Sequence, residues 1–148
     1  AEVILTSSAA PWPVERYKPE LFRAMAALVQ TRIVVMAEVC ALVDFLFLAE
    51  PPIDDGAFTK AFSADFAAPT LDEIATAFAT CEWNAESLKT AVETVGTKHD
   101  VKLGKLQGPL RIAITGRSVG PPLFEPIELL GRDESLRRIK SALARAQG

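Results

Sequence analysis

Apolar side chains recur at helical spacing over residues 22–47 of the 148-residue chain, and this feature restricts the fold more than any other. Successive members are three or four residues apart, which places them on one face of an α-helix. They are Phe22, Met25, Val29, Ile33, Met36, Cys40, Val43 and Phe47. The pattern predicts one long helix, or two helices that meet near Gln30. It begins at Pro19 and stops before Pro51 and Pro52.

Start signals for further helices follow. Thr70 and Glu73 have the spacing of a capping box, and Asn84 and Asp133 are residue types that cap helix N-termini. On the inner face of the last helix we expect four apolar residues, namely Leu136, Ile139, Ala142 and Leu143.

Glycines mark the ends of three predicted helices. Gly96 ends the helix that starts after Asn84, Gly116 ends a short helix over 109–115, and Gly131 ends another over 122–130. The β-branched residues of 111–115 leave a strand open as an alternative there, and no other stretch alternates as a strand does. The predicted fold class is all-α.

The chain divides into three predicted segments. Residues 1–18, with Pro11 and Pro13, show no sustained period and are predicted to be an irregular lead-in from a preceding domain. Two small helical subdomains follow, over 19–68 and 69–148. Because the first residue is Ala rather than Met, we expect the chain to be a fragment or a processed product.

Charge is distributed unevenly along the chain. The total of 16 Lys and Arg against 19 Asp and Glu gives −3, which as an average argues against nucleic-acid binding. Residues 1–97 hold six basic and fourteen acidic groups, a balance of −8, whereas residues 98–148 hold ten basic and five acidic groups, a balance of +5. Such asymmetry is a hint of a nucleic-acid or membrane contact in the second part.

Several classes of protein are disfavoured. The longest apolar run, 33–49, contains Glu38 and Asp44, so it predicts a buried helix rather than a membrane span. No signal peptide is recognisable, and Cys40 and Cys81 are expected to be reduced thiols of a cytoplasmic protein. With His99 as the sole histidine, neither a histidine metal site nor a Ser-His pair is expected, and no catalytic residue stands out.

The segment 98–124 combines basic residues, glycines and a Pro-Pro pair. It carries five Lys and Arg against one Asp, a balance of +4. Basic side chains attract phosphates, glycines allow close backbone approach, and exposed apolar rings can stack on single-stranded RNA bases. The alternative is structural: Leu123 and Phe124 also fit a helical core face with Ile127, and charged helix surfaces are usually just solvated.

The order of residues carries a more specific signal. Six stretches carry it: VKLGK (101–105), GPLRIAITGR (108–117), PPLFE (121–125), LLG (129–131), SLRRI (135–139) and LVQTRI (28–33). These stretches resemble the C-terminal domain of bacterial glutamyl-tRNA synthetases, with the strongest likeness over 101–139 and some likeness over 19–148. The resemblance implies an α-helical cage that binds the tRNA anticodon.

The same resemblance implies roles for particular residues. Arg111 would hydrogen-bond an anticodon base or its phosphate, Gly120, Pro121, Pro122 and Leu123 would wall a base pocket, Phe124 would stack on a base, and Arg32 would lie near the third anticodon base. Some relatives carry a hydroxyl residue where this chain has Gly120, so a contact there must use the backbone. We further expect Lys102, Lys105 and Arg117 to contact the tRNA backbone.

The resemblance also implies a parent enzyme that attaches glutamate to tRNA(Glu) with ATP and Mg²⁺. Neither a HIGH-type nor a KMSKS-type string occurs here, so we expect this part to bind tRNA but to be inactive alone, without cofactor or metal. Its expected partners are tRNA(Glu), with tRNA(Gln) left open, and the catalytic domain of its own chain. The alternative function is a helical protein-interaction module that uses residues 21–49 and binds no RNA.

Overall fold

The computed structural model describes residues 11–29 and 38–148, and within them every regular element is helical. The α-helices are α1 (Pro19–Val29), α2 (Glu38–Val43), α3 (Asp55–Phe62), α4 (Ala67–Thr80), α5 (Ala85–Lys98), α6 (Leu103–Thr115), α7 (Phe124–Leu130) and α8 (Arg132–Gln147). Short 3₁₀ turns cover Val14–Arg16 and Asp44–Leu46. The all-α prediction is confirmed.

The predicted apolar stripe faces the core wherever it is described. Met25, Val43 and Phe47 are almost fully buried. Helix α1 covers Pro19–Val29 of the described residues, and α2 is followed by the 3₁₀ turn Asp44–Leu46 ahead of the two prolines. Ile33, Met36 and the predicted break near Gln30 lie outside the described residues. The described part of the stripe is therefore core surface of the chain itself.

Some helix boundaries differ from the predictions. Helix α4 begins at Ala67, so Thr70 is not its N-cap but lies inside it, where its hydroxyl donates to the carbonyl oxygen of Phe66 at 2.7 Å. Helix α8 begins at Arg132, which puts Asp133 in the first turn rather than at the cap. The prediction for Asn84 is correct, since its side chain accepts from the Ser87 N–H at 2.9 Å.

Gly96 does not end α5, which continues to Lys98. A side chain at this position would bring a Cβ within 2.5 Å of the carbonyl oxygen of Val101, so glycine allows the chain after α5 to fold back closely. The helix predicted over 109–115 begins six residues earlier, at Leu103, and accommodates Pro109 in its interior.

Helix α4 lies at the centre of the second half, in contact with α3, α5, α6 and α8. Helix α7 packs on α5 and α8 and also meets α1 and the Asp44–Leu46 turn. The described part of the predicted lead-in, residues 11–18, packs on the same core, with the ring centroids of Trp12 and Phe47 5.0 Å apart. The division into subdomains at residue 68 stays a prediction.

Three further features of the described residues concern membrane-length helices, metal-ligating groups and the two thiols. None of its helices is long and apolar enough to cross a membrane. Over residues 11–29 and 38–148, no group of three or more His, Cys, Asp or Glu residues is arranged to hold a metal ion. Cys40 and Cys81 are both free and half-buried, and burial raises the pKa of the Cys40 thiol.

Candidate nucleic-acid interface

A loop over residues 117–123 joins α6 to α7 and contains most of the predicted site. Its far end is tied back to α6, because Nη1 of Arg111 donates to the carbonyl oxygen of Pro121 at 2.7 Å. Gly120 lies against the same guanidinium: a Cβ there would be 3.3 Å from Nη1 of Arg111. The structure thus brings Arg111, Gly120 and Pro121 together, and the roles that the resemblance implies for them towards RNA stay predictions.

The near end of the loop begins at a fixed turn. Gly116 has φ +77°, a left-handed conformation that favours glycine, and its N–H bonds the carbonyl of Ile112. Its own carbonyl accepts from the Asp54 N–H at 2.9 Å, while the Asp54 carboxylate accepts from the Ala57 N–H. A Cβ on Gly116 would be 2.2 Å from the carbonyl oxygen of Pro52, so the end of α6 is packed directly on backbone.

Leu123 and Phe124 occupy the core. They are 4% and 7% exposed and belong to one buried cluster with Ile127. The structural alternative for this pair is therefore favoured, since a base can stack only on an accessible ring face. The exposed apolar residue of the loop is Val119, at 78%, and no pattern in the sequence selects it.

Arg117, predicted to contact the tRNA backbone, holds a carboxylate of its own chain. Its Nη1 and Nη2 donate to Oδ1 and Oδ2 of Asp44 at 2.7 and 2.6 Å. The hydrogen bonds with the Asp44 carboxylate raise the pKa of the Arg117 guanidinium above its ordinary value. The arginine thus connects the loop to the 3₁₀ turn Asp44–Leu46.

Arg138 is a buried charge at the base of this region that the sequence analysis missed. It donates to the carbonyl oxygens of Ile114, Phe45 and Leu48 at 2.7, 2.8 and 2.9 Å, and to the Glu134 carboxylate at 2.8 Å. These bonds satisfy a guanidinium that is only 4% exposed. A signal was available: Arg138 precedes the inner-face residue Ala142 by four positions and follows the buried Ser135 by three, a helical spacing that places it towards the core.

The two predicted phosphate contacts, Lys102 and Lys105, are exposed at the start of α6. They line an open cleft of about 760 Å³, which Glu93 and Asp100 also line, so its charge is mixed. Lys98, which is close to them in sequence, pairs with Glu73 at 2.8 Å. Arg32 lies outside the described residues, so no position is given for it.

Taken together, the described residues form an all-helical domain with a partly exposed loop anchored to α6, and comparison with known proteins gives the family. Residues 5–143 match the family model described as "Anticodon binding domain", and the chain belongs to that family. More particularly, it is homologous to the C-terminal part of glutamate–tRNA ligases. The resemblance stated from the sequence is confirmed.

Curated relatives show the extent of the likeness. The glutamate–tRNA ligase of Salinispora arenicola is 50% identical over 136 residues, which cover 91% of this chain and 29% of the relative. That of Frankia casuarinae is 46% identical over 144 residues, covering 97% and 30%. The chain thus spans about 30% of the length of the curated relatives it matches.

Solved structures show the same fold. A glutamate tRNA ligase from Elizabethkingia meningosepticum, solved in complex with its amino acid, superposes with a TM-score of 0.77 at 24% identity over 86% of this chain and 25% of that chain. The glutamate-tRNA synthetase of Elizabethkingia anophelis gives 0.72 at 23% identity. At these identities the likeness concerns the fold.

Proposed function

We propose that this chain recognises the anticodon of tRNA(Glu) as part of a glutamate–tRNA ligase. The observation that carries the proposal is the loop 117–123, anchored to α6 by the bond from Arg111 to Pro121 in a member of the anticodon-binding family. A loop with both ends fixed presents backbone and side chains to a ligand with little ordering cost.

Arg111 is the proposed reader of a base. Its half-buried guanidinium lies at the foot of the loop, and a guanidinium has five N–H donors in a planar fork suited to base edges and phosphates. Gly120 and Pro122, both half-buried, and the exposed Val119 form the accessible wall beside it. Leu123 and Phe124 support this wall from inside the core.

Lys102 and Lys105 are proposed to attract the tRNA backbone. Both side chains are exposed at the N-terminal end of the helix that carries Arg111. Contacts of this kind add affinity that falls with salt and carry no sequence information. Selection would therefore come from the loop and attraction from the lysines.

For the whole protein, we propose that the remainder of a longer chain performs the aminoacylation. ATP, Mg²⁺ and glutamate would bind there, and the 148 residues of this chain would be inactive by themselves in the cytoplasm. Fixing the anticodon end would help to orient the acceptor end of the same tRNA. Whether tRNA(Gln) is also accepted would depend on the third anticodon base and Arg32.

Hydrogen exchange with a tRNA(Glu) anticodon stem-loop tests the proposal. The amides of 117–120 and of the last turn of α6 should be protected on addition of the stem-loop. The same stem-loop with its three anticodon bases exchanged should protect them less at equal concentration. Protection of α1 and α2 instead, by either RNA, would contradict the proposal.

The protein-interaction alternative loses its main argument. It required the apolar stripe of residues 21–49 to be available to a partner. The described members Met25, Val43 and Phe47 are buried against the chain's own core.

A further inference from the structure

The ion pair of Asp44 and Arg117 joins two segments that are 73 residues apart in sequence. The carboxylate side chain is 6% exposed and the guanidinium 30%. Both oxygens of Asp44 are used, by two different nitrogens of Arg117. Such a bidentate pair fixes distance and orientation together, unlike an exposed single contact.

The partner segment is itself rigidly held. Asp44 opens the 3₁₀ turn Asp44–Leu46, and Arg138 binds the carbonyl oxygens of Phe45 and Leu48 from the other side. The same guanidinium binds the carbonyl of Ile114 in the last turn of α6. The turn and the end of α6 therefore form one hydrogen-bonded unit.

Arg117 is the first residue after Gly116, so its pairing sets the direction in which the loop leaves that unit. The bond between Arg111 and the Pro121 carbonyl fixes the other end. Between these two anchors lie Ser118 and Val119, both exposed, and Gly120. Loss of either anchor would leave this stretch free to sample other shapes.

We propose that Asp44 and Arg117 are positioning residues, whose ion pair holds the loop 117–123 in the shape that meets the anticodon. This inference rests on the proposed function and revises the expected role of Arg117 as a phosphate contact. In the revised role Arg117 acts through the loop and needs no contact with RNA. Asp44, an acid that RNA would repel, becomes necessary for RNA selection.

The two roles of Arg117 predict opposite results for Asp44→Asn. If Arg117 binds phosphate, removal of its acid leaves all tRNAs bound at least as tightly and makes the salt dependence steeper. If the pair positions the loop, the preference for tRNA(Glu) over the same tRNA with an exchanged anticodon falls, at unchanged salt slope. Arg117→Gln should then produce the same loss as Asp44→Asn.

The experiment compares Asp44→Asn, Arg117→Gln and the double variant in the natural chain, with any flanking sequence kept. Control variants are Asp55→Asn and Arg145→Gln, which break an ion pair between α3 and α8 that does not touch the loop. Dissociation constants are measured for both tRNAs at two salt concentrations, below the melting temperature of every variant. Arg117→Lys, which keeps the charge but loses the fork, replaces any neutral variant that fails to fold.

We expect the preference to fall by roughly 3- to 30-fold in each single variant and no further in the double variant, since the two residues act as one unit. The control variants should retain it. The proposal would be overturned if Arg117→Gln weakened the binding of both tRNAs equally and reduced the salt slope, while Asp44→Asn had no effect.

A readout without RNA separates this inference from the proposed function. Amide exchange at 118–120 should be faster in Asp44→Asn and Arg117→Gln, while the core of α4 keeps its protection. Unchanged exchange in the loop would overturn the positioning role even if tRNA binding is observed. A third outcome is possible, in which the variants exchange faster in the loop but the unsubstituted chain binds both tRNAs equally. That result would support the ion pair as an anchor of the loop and would refute the proposed function.

Discussion

Nη1 of Arg111 donates to the carbonyl oxygen of Pro121 across a distance of 2.7 Å. The bond closes the loop that follows α6 against the helix it leaves, ten residues further along the chain. One guanidinium thereby shapes the loop and lies beside the surface proposed to meet RNA. Substitutions of Arg111 should accordingly affect selection more than they affect overall attraction.

Arg111→Ala is expected to cost about 1–3 kcal/mol of binding to tRNA(Glu) and to relax anticodon discrimination. The reason is the loss of both a base contact and the loop anchor. Arg111→Lys, which keeps the charge without the fork, should restore less than half of the discrimination. Equilibrium binding to cognate and anticodon-exchanged tRNA measures both. An unchanged ratio of the two dissociation constants in Arg111→Ala would contradict the assignment.

Lys105→Ala should weaken all tRNAs alike and reduce the slope of log affinity against log salt by roughly 0.7–0.9, the value for one phosphate contact. Lys140→Ala, an equally exposed lysine on α8, is the matched control and should leave the slope unchanged. A salt titration of binding distinguishes them. Loss of discrimination in Lys105→Ala would show that it reads bases instead.

Gly116→Ala is expected to destabilise the fold by roughly 2–5 kcal/mol, because it adds a side chain at positive φ and brings a Cβ to 2.2 Å from a backbone oxygen. Gly108 lies inside α6, and a Cβ there would have no neighbour within 4 Å, so Gly108→Ala should stabilise the fold by about 0.5–1 kcal/mol. Urea unfolding of the two variants gives both values. Similar stabilities would refute the close packing of Gly116 on Pro52.

The ion pairs of Glu134 predict that the stability of the fold decreases in acid. Hydrogen bonds from Arg137, and secondly from Arg138, hold the pKa of the Glu134 carboxyl below its ordinary value of 4.5. A lowered pKa means that the folded state gains stability from the ionised form above about pH 4.5, and loses it as the pH falls through the folded-state pKa. The stability difference between the unsubstituted chain and Glu134→Gln should therefore be present at pH 7 and shrink in acid. Parallel pH profiles would contradict this.

Local patterns predicted the helices well where the chemistry is local. The Asn84 cap is a hydrogen bond between residues three apart in sequence. Gly116 adopts the left-handed conformation that ends α6, which depends on that residue alone. The local pattern at Pro109 gave a wrong helix start. Proline favours the first turn of a helix, but Leu106 and Leu110 are buried on one face, and this packing stabilises α6 on both sides of Pro109.

The site was predictable in part. The resemblance selected the stretch that holds Arg111 and the loop, and the structure brings them together. The pairing of Arg117 with Asp44 was not predictable, because nothing in a sequence specifies which of many acids 73 residues away will meet a given arginine. The burial of Phe124 follows from tertiary packing in the same way, although the core alternative was visible in its spacing from Ile127.

The central claim, that this chain selects tRNA by its anticodon, is tested most directly by one ratio. The dissociation constant for tRNA(Glu) is compared with that for the same tRNA carrying three exchanged anticodon bases, at fixed salt. We predict at least about tenfold tighter binding of the unaltered tRNA, which corresponds to about 1.4 kcal/mol. Equal dissociation constants for the two RNAs would contradict the account.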